Sequence, residues 1–402
     1  MTTDQIQQVK NTIPVLKEHG VLLTKHFYKR MFTHNPELKN VFNMGNQQNE
    51  RQQTALAMAV LAYAEHIEDP SVLMSAVNHI GQKHTSLDIR PEHYEIVGKH
   101  LIASIAEVLG KAAGPDLLEA WTLAYQQLVH IMTTHEQKLY NEQVKSKGGW
   151  TGWRPFLVKQ KIKESDEITS FYLYPADAGN VASHLPGQYL SIRLFLPELN
   201  LMQPRQYSIS CSPNGEFYRI SVKKETGNDH PDGLISNRLH NNINIGDVVE
   251  LTAPAGSFTL NKQGQPHKVF ISGGVGQTPL LSMLEDLTNE TQTRENKITW
   301  IHGCRNEQVH AFKDRIAEIT KSYNALKQHI FYENKQLNEN KNYHGRVELE
   351  PLKEEIVGDQ TEYYICGPAP FIKKHYNFLL ENGVTKDSIY FEEFGPSSLQ
   401  LN

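Results

Sequence analysis

The chain has 402 residues, a formal net charge of −5 and 39% hydrophobic residues. That length exceeds one ordinary core and predicts two or three domains, while the mildly acidic balance supplies no basic footprint for a nucleic-acid partner. Three widely spaced cysteines (Cys211, Cys304, Cys366) fit a reduced, cytoplasmic protein, no apolar run reaches the roughly 18 residues of a membrane span, and the N-terminus lacks a signal-peptide pattern.

Residues 1 to about 145 read as helix: glycines are few and apolar residues recur three and four apart. Helix starts are marked by Asp4 and by proline turns, NPEL at 35–38, DPSV at 69–72, RPEH at 90–93 and GPDL at 114–117. On a helix over 72–85, Leu73, Val77, Ile80 and His84 share one face, so His84 ends an apolar stripe. Alone, such a histidine is most often a core residue with one satisfied nitrogen. Two other positions bear on it. Tyr94 heads a stripe with Val97, Leu101 and Val108, and Glu136 follows Tyr125, Val129 and Met132. A carboxylate on an apolar face is costly unless it is paired. A phenol and an imidazole N–H would satisfy it, and an imidazole held in this way has a fixed tautomer and an electron-rich second nitrogen suited to a metal. Tyr28, and Gln52 with Leu56 four residues on, offer an opposite wall, and Phe42 could cover the edge of a large planar ligand. Each of these alone also reads as an ordinary core or surface residue.

After SKGGWTGWRPF (146–156) the texture changes to short alternating runs: FLVKQKI, ITSFYLYP, QYLSIRLFL, RQYSIS, FYRISVK and VVELTAP. These are strands at barrel or sandwich spacing. In RQYSIS, Arg205 and Tyr207 share one side of a strand, a cation for a diphosphate and a ring for a flat flavin, while Ser208 faces the other way unless the strand bends. An exposed hairpin is the plain alternative. PGQYLSI adds Tyr189, SVKKETG adds Lys223, and Gly233 with Ser236 could set backbone N–H groups at a helix start against phosphate.

From about 267, continuous apolar strands (KVFISGG, ITWIHGC, YYICGP) alternate with helical segments, the pattern of a parallel sheet. KVFISGGVGQTPLLSML runs strand, glycine turn, helix, and Gly273, Gly274 and Gly276 would let a pyrophosphate approach the backbone. Cys366, Gly367 and Pro368 end another strand, where ligands of such sheets bind, although Cys366 alone reads as a small buried hydrophobe. His302, Cys304 and Arg305 follow a strand and are candidates for the adenosine end, Arg305 for a 2′-phosphate.

Taken together the chain resembles the flavohaemoglobins. HFYKRMFTHNPELKNVFNMGNQ, QKHTSL, YEIVGKHL and GGW match the haem domain; RxYS followed by GxxS matches a ferredoxin-reductase-like FAD domain; GGVGQTP, CGP and FEEFGP match the NAD(P)H domain. The run TGNDHPDGLIS is longer than the usual spacing. The resemblance implies an all-α globin domain at 1–147, an all-β FAD-binding barrel at 152–264 and an α/β parallel-sheet NAD(P)-binding domain at 265–402. It implies a b-type haem on His84, with Tyr94 and Glu136 as its proximal relay, Tyr28 and Gln52 as the distal pair, Phe42 and Leu56 against the haem, and Lys83 linked to cofactor potential. FAD falls on Tyr189, Arg205, Gln206, Tyr207 and Ser208, with Lys223, Gly233 and Ser236 toward its phosphates. NADH or NADPH falls on Gly273, Gly274, Val275, Gly276, Gln277, Thr278, Cys366, Gly367 and Pro368. Glu392, Glu393, Phe394, Gly395 and Pro396 close the flavin site, Phe394 near the isoalloxazine and Glu392 linked to its potential. The implied activity is nitric oxide dioxygenation, with electrons passing from NAD(P)H to FAD to haem and O₂ oxidising NO to nitrate, in a monomer with no nucleic-acid or membrane partner. A reductase of hydroperoxides or other acceptors and an O₂ or NO sensor are the alternatives.

Overall fold

The computed structural model describes residues 1–402 except 49, 228–231, 265, 290–295, 335–341, 395–402 and the side chains of 46 and 48. The first region is helical: α1 (Thr3–Lys10), α2 (Ile13–His34), α3 (Met44–Gln48), α4 (Arg51–Glu65), α5 (Met74–Thr85), α6 (Pro91–Leu109) and α7 (Pro115–Lys145). RPEH and GPDL start α6 and α7 with proline in the first turn, where its missing N–H costs nothing. NPEL and DPSV instead open 3₁₀ turns, Pro36–Asn40 and Pro70–Leu73. In the second, the Asp69 carboxylate accepts from the Ser71 N–H and holds the chain in a tight turn, so α5 starts only after Leu73, and the first residue of the His84 stripe becomes the N-cap rather than part of the helix. Leu23, Phe27, Met31, Tyr63, Leu101, Ile105 and Trp121 fill the core. At Gly98 a Cβ would come within 2.4 Å of the Tyr125 ring, so α6 and α7 cross there, and the Tyr125 hydroxyl donates to the Tyr94 carbonyl at 2.6 Å.

The second region holds β1 (Arg154–Lys163), β2 (Ile168–Pro175), β3 (Tyr189–Leu196), β4 (Leu201–Ser208), β5 (Tyr218–Lys223) and β6 (Val248–Leu251), with α8 (Leu234–Asn242) between the last two. The sheet is antiparallel in the order β4-β3-β6-β1-β2-β5. A bridge between Ile209, just past β4, and Ile220 in β5 joins the two edges and closes the sheet as a barrel. Phe156, Phe171, Leu190, Ile192, Tyr218 and Leu251 fill its interior.

The third region holds β7 (His267–Gly273), β8 (Ile298–Cys304), β9 (Leu326–Tyr332), β10 (Tyr343–His344), β11 (Thr361–Gly367) and β12 (Ile389–Glu393). All pair in parallel, in the order β10-β9-β8-β7-β11-β12. Helices α9 (Gln277–Asn289), α10 (Lys313–Ser322), α11 (Lys353–Ile356) and α12 (Ala369–Glu381) complete it. The chain leaves β7 toward β8 and later returns on its other side as β11, so the switch point of the sheet lies between the strands that end in GGVG and CGP. Every residue of α9 from Gln277 to Leu287 is buried. The helix packs on the parallel sheet and also meets the barrel: Ser282 Oγ donates to the Cys211 carbonyl at 2.7 Å, and Glu285 accepts from the Ser212 N–H at 3.2 Å and pairs with Arg219 at 3.3 Å. Among the described residues no helix is long and apolar enough to cross a membrane, and the three cysteines are unpaired and buried.

Candidate active site

On α5, His84 turns Nδ1 toward two groups. Glu136 Oε1 lies 2.7 Å away and the Tyr94 hydroxyl 2.9 Å away, and that hydroxyl donates to the same Oε1 at 2.5 Å. Glu136 is almost wholly buried on α7, so its carboxylate depends on these two partners. Burial and then the Glu136 charge push the Tyr94 phenol far above its ordinary range, so it stays protonated and donates. Both hydrogen bonds of the imidazole use Nδ1, which leaves Nε2 its lone pair.

The opposite wall also assembles. Tyr28 is buried on α2, its ring 5.9 Å from Phe42 and 5.8 Å from Phe32 between centroids. Burial raises its hydroxyl above the ordinary phenol value, and the side chains of Gln52 and Gln47 act against that shift as hydrogen-bond partners. Gln47 carried no signal in the sequence beyond its place near Gln52. Beside it, Gln53 Nε2 donates to Gln47 Oε1 at 2.8 Å, while Gln47 Nε2 and Gln53 Oε1 are buried without a geometric hydrogen bond. Among the described residues no group of three or more His, Cys, Asp or Glu side chains could hold a bare metal ion, so an iron here would come inside its porphyrin with His84 as the protein ligand.

The end of α5 is bonded directly to the barrel. Gly256 N–H donates to Gln82 Oε1 at 2.9 Å, Gln206 Nε2 to Ser86 Oγ at 3.1 Å, and Thr252 Oγ1 to the Ser86 carbonyl at 3.0 Å. Tyr189 has Ser86 as a side-chain partner and is raised by burial and by the Glu392 charge. Lys83 is half-buried with Glu392 and Glu393 as its charge partners; burial lowers its pKa and the two carboxylates oppose that. Glu392 in turn is pushed up to about 7, by burial first, with Lys83 pulling it down and Glu393 pushing it up. Gln82, Ser86, Thr252 and Gly256 were not singled out in the sequence, because a contact across domains leaves no local spacing.

On the barrel, the β3–β4 register sets Arg205 and Tyr207 opposite Ile192 and Leu190, and Gln206 and Ser208 opposite Ser191 and Tyr189. The flavin candidates therefore form two groups. Tyr189 and Gln206 face Ser86. Arg205 and Tyr207 lie together, with Glu225 and its ion-pair partner Lys223 alongside, Lys223 Nζ being 3.3 Å from the carboxylate. Ser208 faces away from Tyr207, as strand alternation requires. Gly233 caps the start of α8, but the Ser236 hydroxyl is spent within the turn: it donates to the Gly233 carbonyl and accepts from the Glu225 N–H. What this turn offers a phosphate is backbone N–H, and Lys223 comes already neutralised by Glu225.

At the nicotinamide end, Gly276 approaches β11 so closely that a Cβ would lie 2.2 Å from the Cys366 carbonyl oxygen, and Gly274 has a φ of +55°. Gly273 and Gly367 both lie against the Phe371 ring, and Thr278 donates back to the Val275 carbonyl, capping the turn. Pro368 caps α12. Gln277 is wholly buried with neither end of its amide hydrogen-bonded. Cys366 is paired in register with Glu392, and burial holds its thiol protonated. Phe394 is exposed at the end of the described chain, and Gly395 and Pro396 lie outside the described residues. The adenosine candidates fare differently. His302 is a core residue stacked on His310, Cys304 is buried, and Arg305 is ion-paired with Glu167 of the barrel.

Three family models match the chain in order: Globin at 25–132, Oxidoreductase FAD-binding domain at 155–260, and Oxidoreductase NAD-binding domain at 270–376. A flavohemoprotein of Bordetella pertussis is 49% identical over 397 residues, covering 97% of this chain and 98% of that one. The chain belongs to the flavohaemoprotein family. The crystal structure of a flavohemoglobin from Malassezia yamatoensis, with bound FAD and heme, superposes with a TM-score of 0.86 at 25% identity, covering 98% of this chain and 99% of that one. The FAD/NAD-binding part of a nitric oxide dioxygenase from Vibrio cholerae matches 60% of this chain and 99% of its own length, at 35% identity and a TM-score of 0.55. As a flavohaemoprotein the chain is an oxidoreductase built of globin, FAD-binding and NAD-binding domains in the expected order, and its cofactors are haem, FAD and a nicotinamide dinucleotide. The residues fit that set. The imidazole has one nitrogen to spare, the distal wall holds orphaned amide atoms, and the glycine turn sits at the switch point of the sheet.

Proposed function

We propose that this flavohaemoprotein is a nitric oxide dioxygenase, acting in the cytoplasm as a monomer on O₂ and NO. One observation carries the reading: the helix that presents His84 to a carboxylate and a phenol is bonded, within its last turn, to the candidate flavin wall. An O₂ store has no use for a hydride donor wired to its metal ligand. The relative from Vibrio cholerae, described as a nitric oxide dioxygenase, supports the same reading.

When bound, the cofactors supply hydride transfer from NAD(P)H to FAD, single-electron transfer to a b-type haem, and oxidation of NO by O₂ to nitrate. The residues supply the rest. His84 Nε2 would hold the iron, and Glu136 with Tyr94 keeps the proton on Nδ1 and makes the ring a stronger donor. The Tyr28 hydroxyl and Gln52 amide would donate hydrogen bonds to the bound gas, and Phe42 and Leu56, packed on the same core, would lie against the haem. Arg205 would meet the FAD diphosphate, and the 273–276 turn with the start of α9 would meet that of the nicotinamide cofactor. Phe394 and Glu392 would stand at the flavin edge. The working boundaries are 1–147, 152–264 and 265–402.

The test is aerobic NADH consumption with and without NO, on protein scored for haem and FAD. A burst of consumption with stoichiometric nitrate is expected. Faster turnover with a hydroperoxide than with NO would move the assignment to a reductase.

A further inference from the structure

Ser86 is wholly buried and lies two residues past His84, at the C-cap of α5. A serine hydroxyl has one proton to give and two lone pairs, and here the proton and one lone pair are taken by hydrogen bonds. It donates to the Lys83 carbonyl at 2.8 Å, accepts from Gln206 Nε2 at 3.1 Å, and has the Tyr189 phenol as a further partner. Its own carbonyl takes the Thr252 hydroxyl. One side chain therefore joins the helix that carries the imidazole to two barrel side chains that are candidates for the flavin. The short bonded path from Gln206 to His84 runs through this hydroxyl and the Lys83 carbonyl, whose peptide bond leads directly to His84. A buried hydrogen-bonded network of this kind rigidifies its members and holds them in one geometry.

We propose that Ser86 is a positioning residue for the passage of electrons from the flavin domain to the haem domain. It locks Tyr189 and Gln206 against α5 and so sets the separation between the flavin they face and the imidazole. This rests on the reading given under Proposed function. Each crossing moves one electron and transfers no atom, so the pair brought by one hydride is consumed in two crossings.

The experiment uses the full chain loaded with haem and FAD. Ser86→Ala is compared with the unaltered protein and with Thr252→Val, which loosens the same point of the seam without touching the hydroxyl. After anaerobic mixing with NADH, flavin bleaching and the shift of the haem band are followed separately, and the FAD dissociation constant is measured by fluorescence without NADH. In Ser86→Ala flavin bleaching should keep its rate, and the haem phase should slow by about tenfold, the scale on which an orienting partner acts. The FAD dissociation constant should rise, because Tyr189 and Gln206 lose their common anchor, and Thr252→Val should lie much closer to the unaltered protein. An unchanged haem phase in Ser86→Ala would overturn the proposal. So would an equal slowing in Thr252→Val, or equal slowing of both phases, since each describes general loosening. Unaltered protein that binds FAD but no haem would defeat the functional reading itself, a result scored before any variant is made.

Discussion

Glu136 Oε1 takes the Tyr94 hydroxyl at 2.5 Å while the imidazole of His84 holds to the same oxygen at 2.7 Å. One buried oxygen thus orients both neighbours, and its charge is what makes the imidazole electron-rich. Glu136→Gln keeps the shape and removes the charge. Haem content should be unchanged and turnover of NO should fall by about ten- to a hundredfold, measured as the NO-dependent rate of NADH consumption.

His84→Ala should abolish haem retention and leave reduction of the bound flavin by NADH intact, because the parallel sheet and barrel meet without the helical domain. The absorption band near the haem Soret and the flavin bleaching rate measure the two effects. Loss of both together would contradict independent lobes.

Tyr28→Phe removes the distal hydroxyl and leaves the ring contacts to Phe32 and Phe42. With one hydrogen bond to the bound gas gone, O₂ should dissociate about tenfold faster. Flash photolysis or ligand-replacement kinetics read this directly, and an unchanged off-rate would take Tyr28 out of that role.

Glu392 faces Lys83 from α5, Glu393 on its own strand, and Tyr189 and Cys366 from β3 and β11. Its pKa rises on folding from 4.5 to about 7, mainly through burial. The folded state therefore binds this proton more tightly than the unfolded one, and the associated stability is full below the unfolded value and lost as pH rises through the folded value. Flavin-free protein should lose thermal stability between about pH 5 and about pH 8, and Glu392→Gln should flatten that decline. An identical slope in the variant would assign the effect elsewhere.

Gly276→Ala should uncouple NADH from flavin while sparing haem. The new methyl would meet the Cys366 carbonyl, a backbone atom that cannot step aside, and would push β7 and β11 apart at the switch point. A cost of about 1–3 kcal/mol in the α/β domain is expected, read as a lowered unfolding midpoint and a raised KM for NADH.

The domain order was legible because each region has its own period. The helical stripes around His84, Tyr94 and Glu136 survived because α5, α6 and α7 run unbroken through those residues. The strands from FLVKQKI to VVELTAP survived because one face of each is buried in the barrel. What escaped was irregular or remote. β9 carries Lys327, Gln328 and His329 in its middle, and β12 is a half-exposed strand with two glutamates, so neither shows the continuous apolar run of a parallel core strand. The turns at Pro36 and Pro70 look like helix starts because proline suits the first turn of either helix type. His302 and Arg305 were placed by their position after a strand, and only the packed structure shows the one inside the core and the other held by Glu167. Ser86 and Gln82 matter through partners more than 100 residues away, which no local pattern encodes.

Helix α9 is gripped from two sides, by the parallel sheet and through Ser282 and Glu285 by the barrel. A protease that nicked the exposed stretch at 145–147 would therefore not shatter the molecule evenly. The downstream piece would keep both its lobes in register and remain a yellow diaphorase, able to discharge NADH into a soluble dye. The upstream piece would be stranded with a gas ligand and no supply of reducing equivalents.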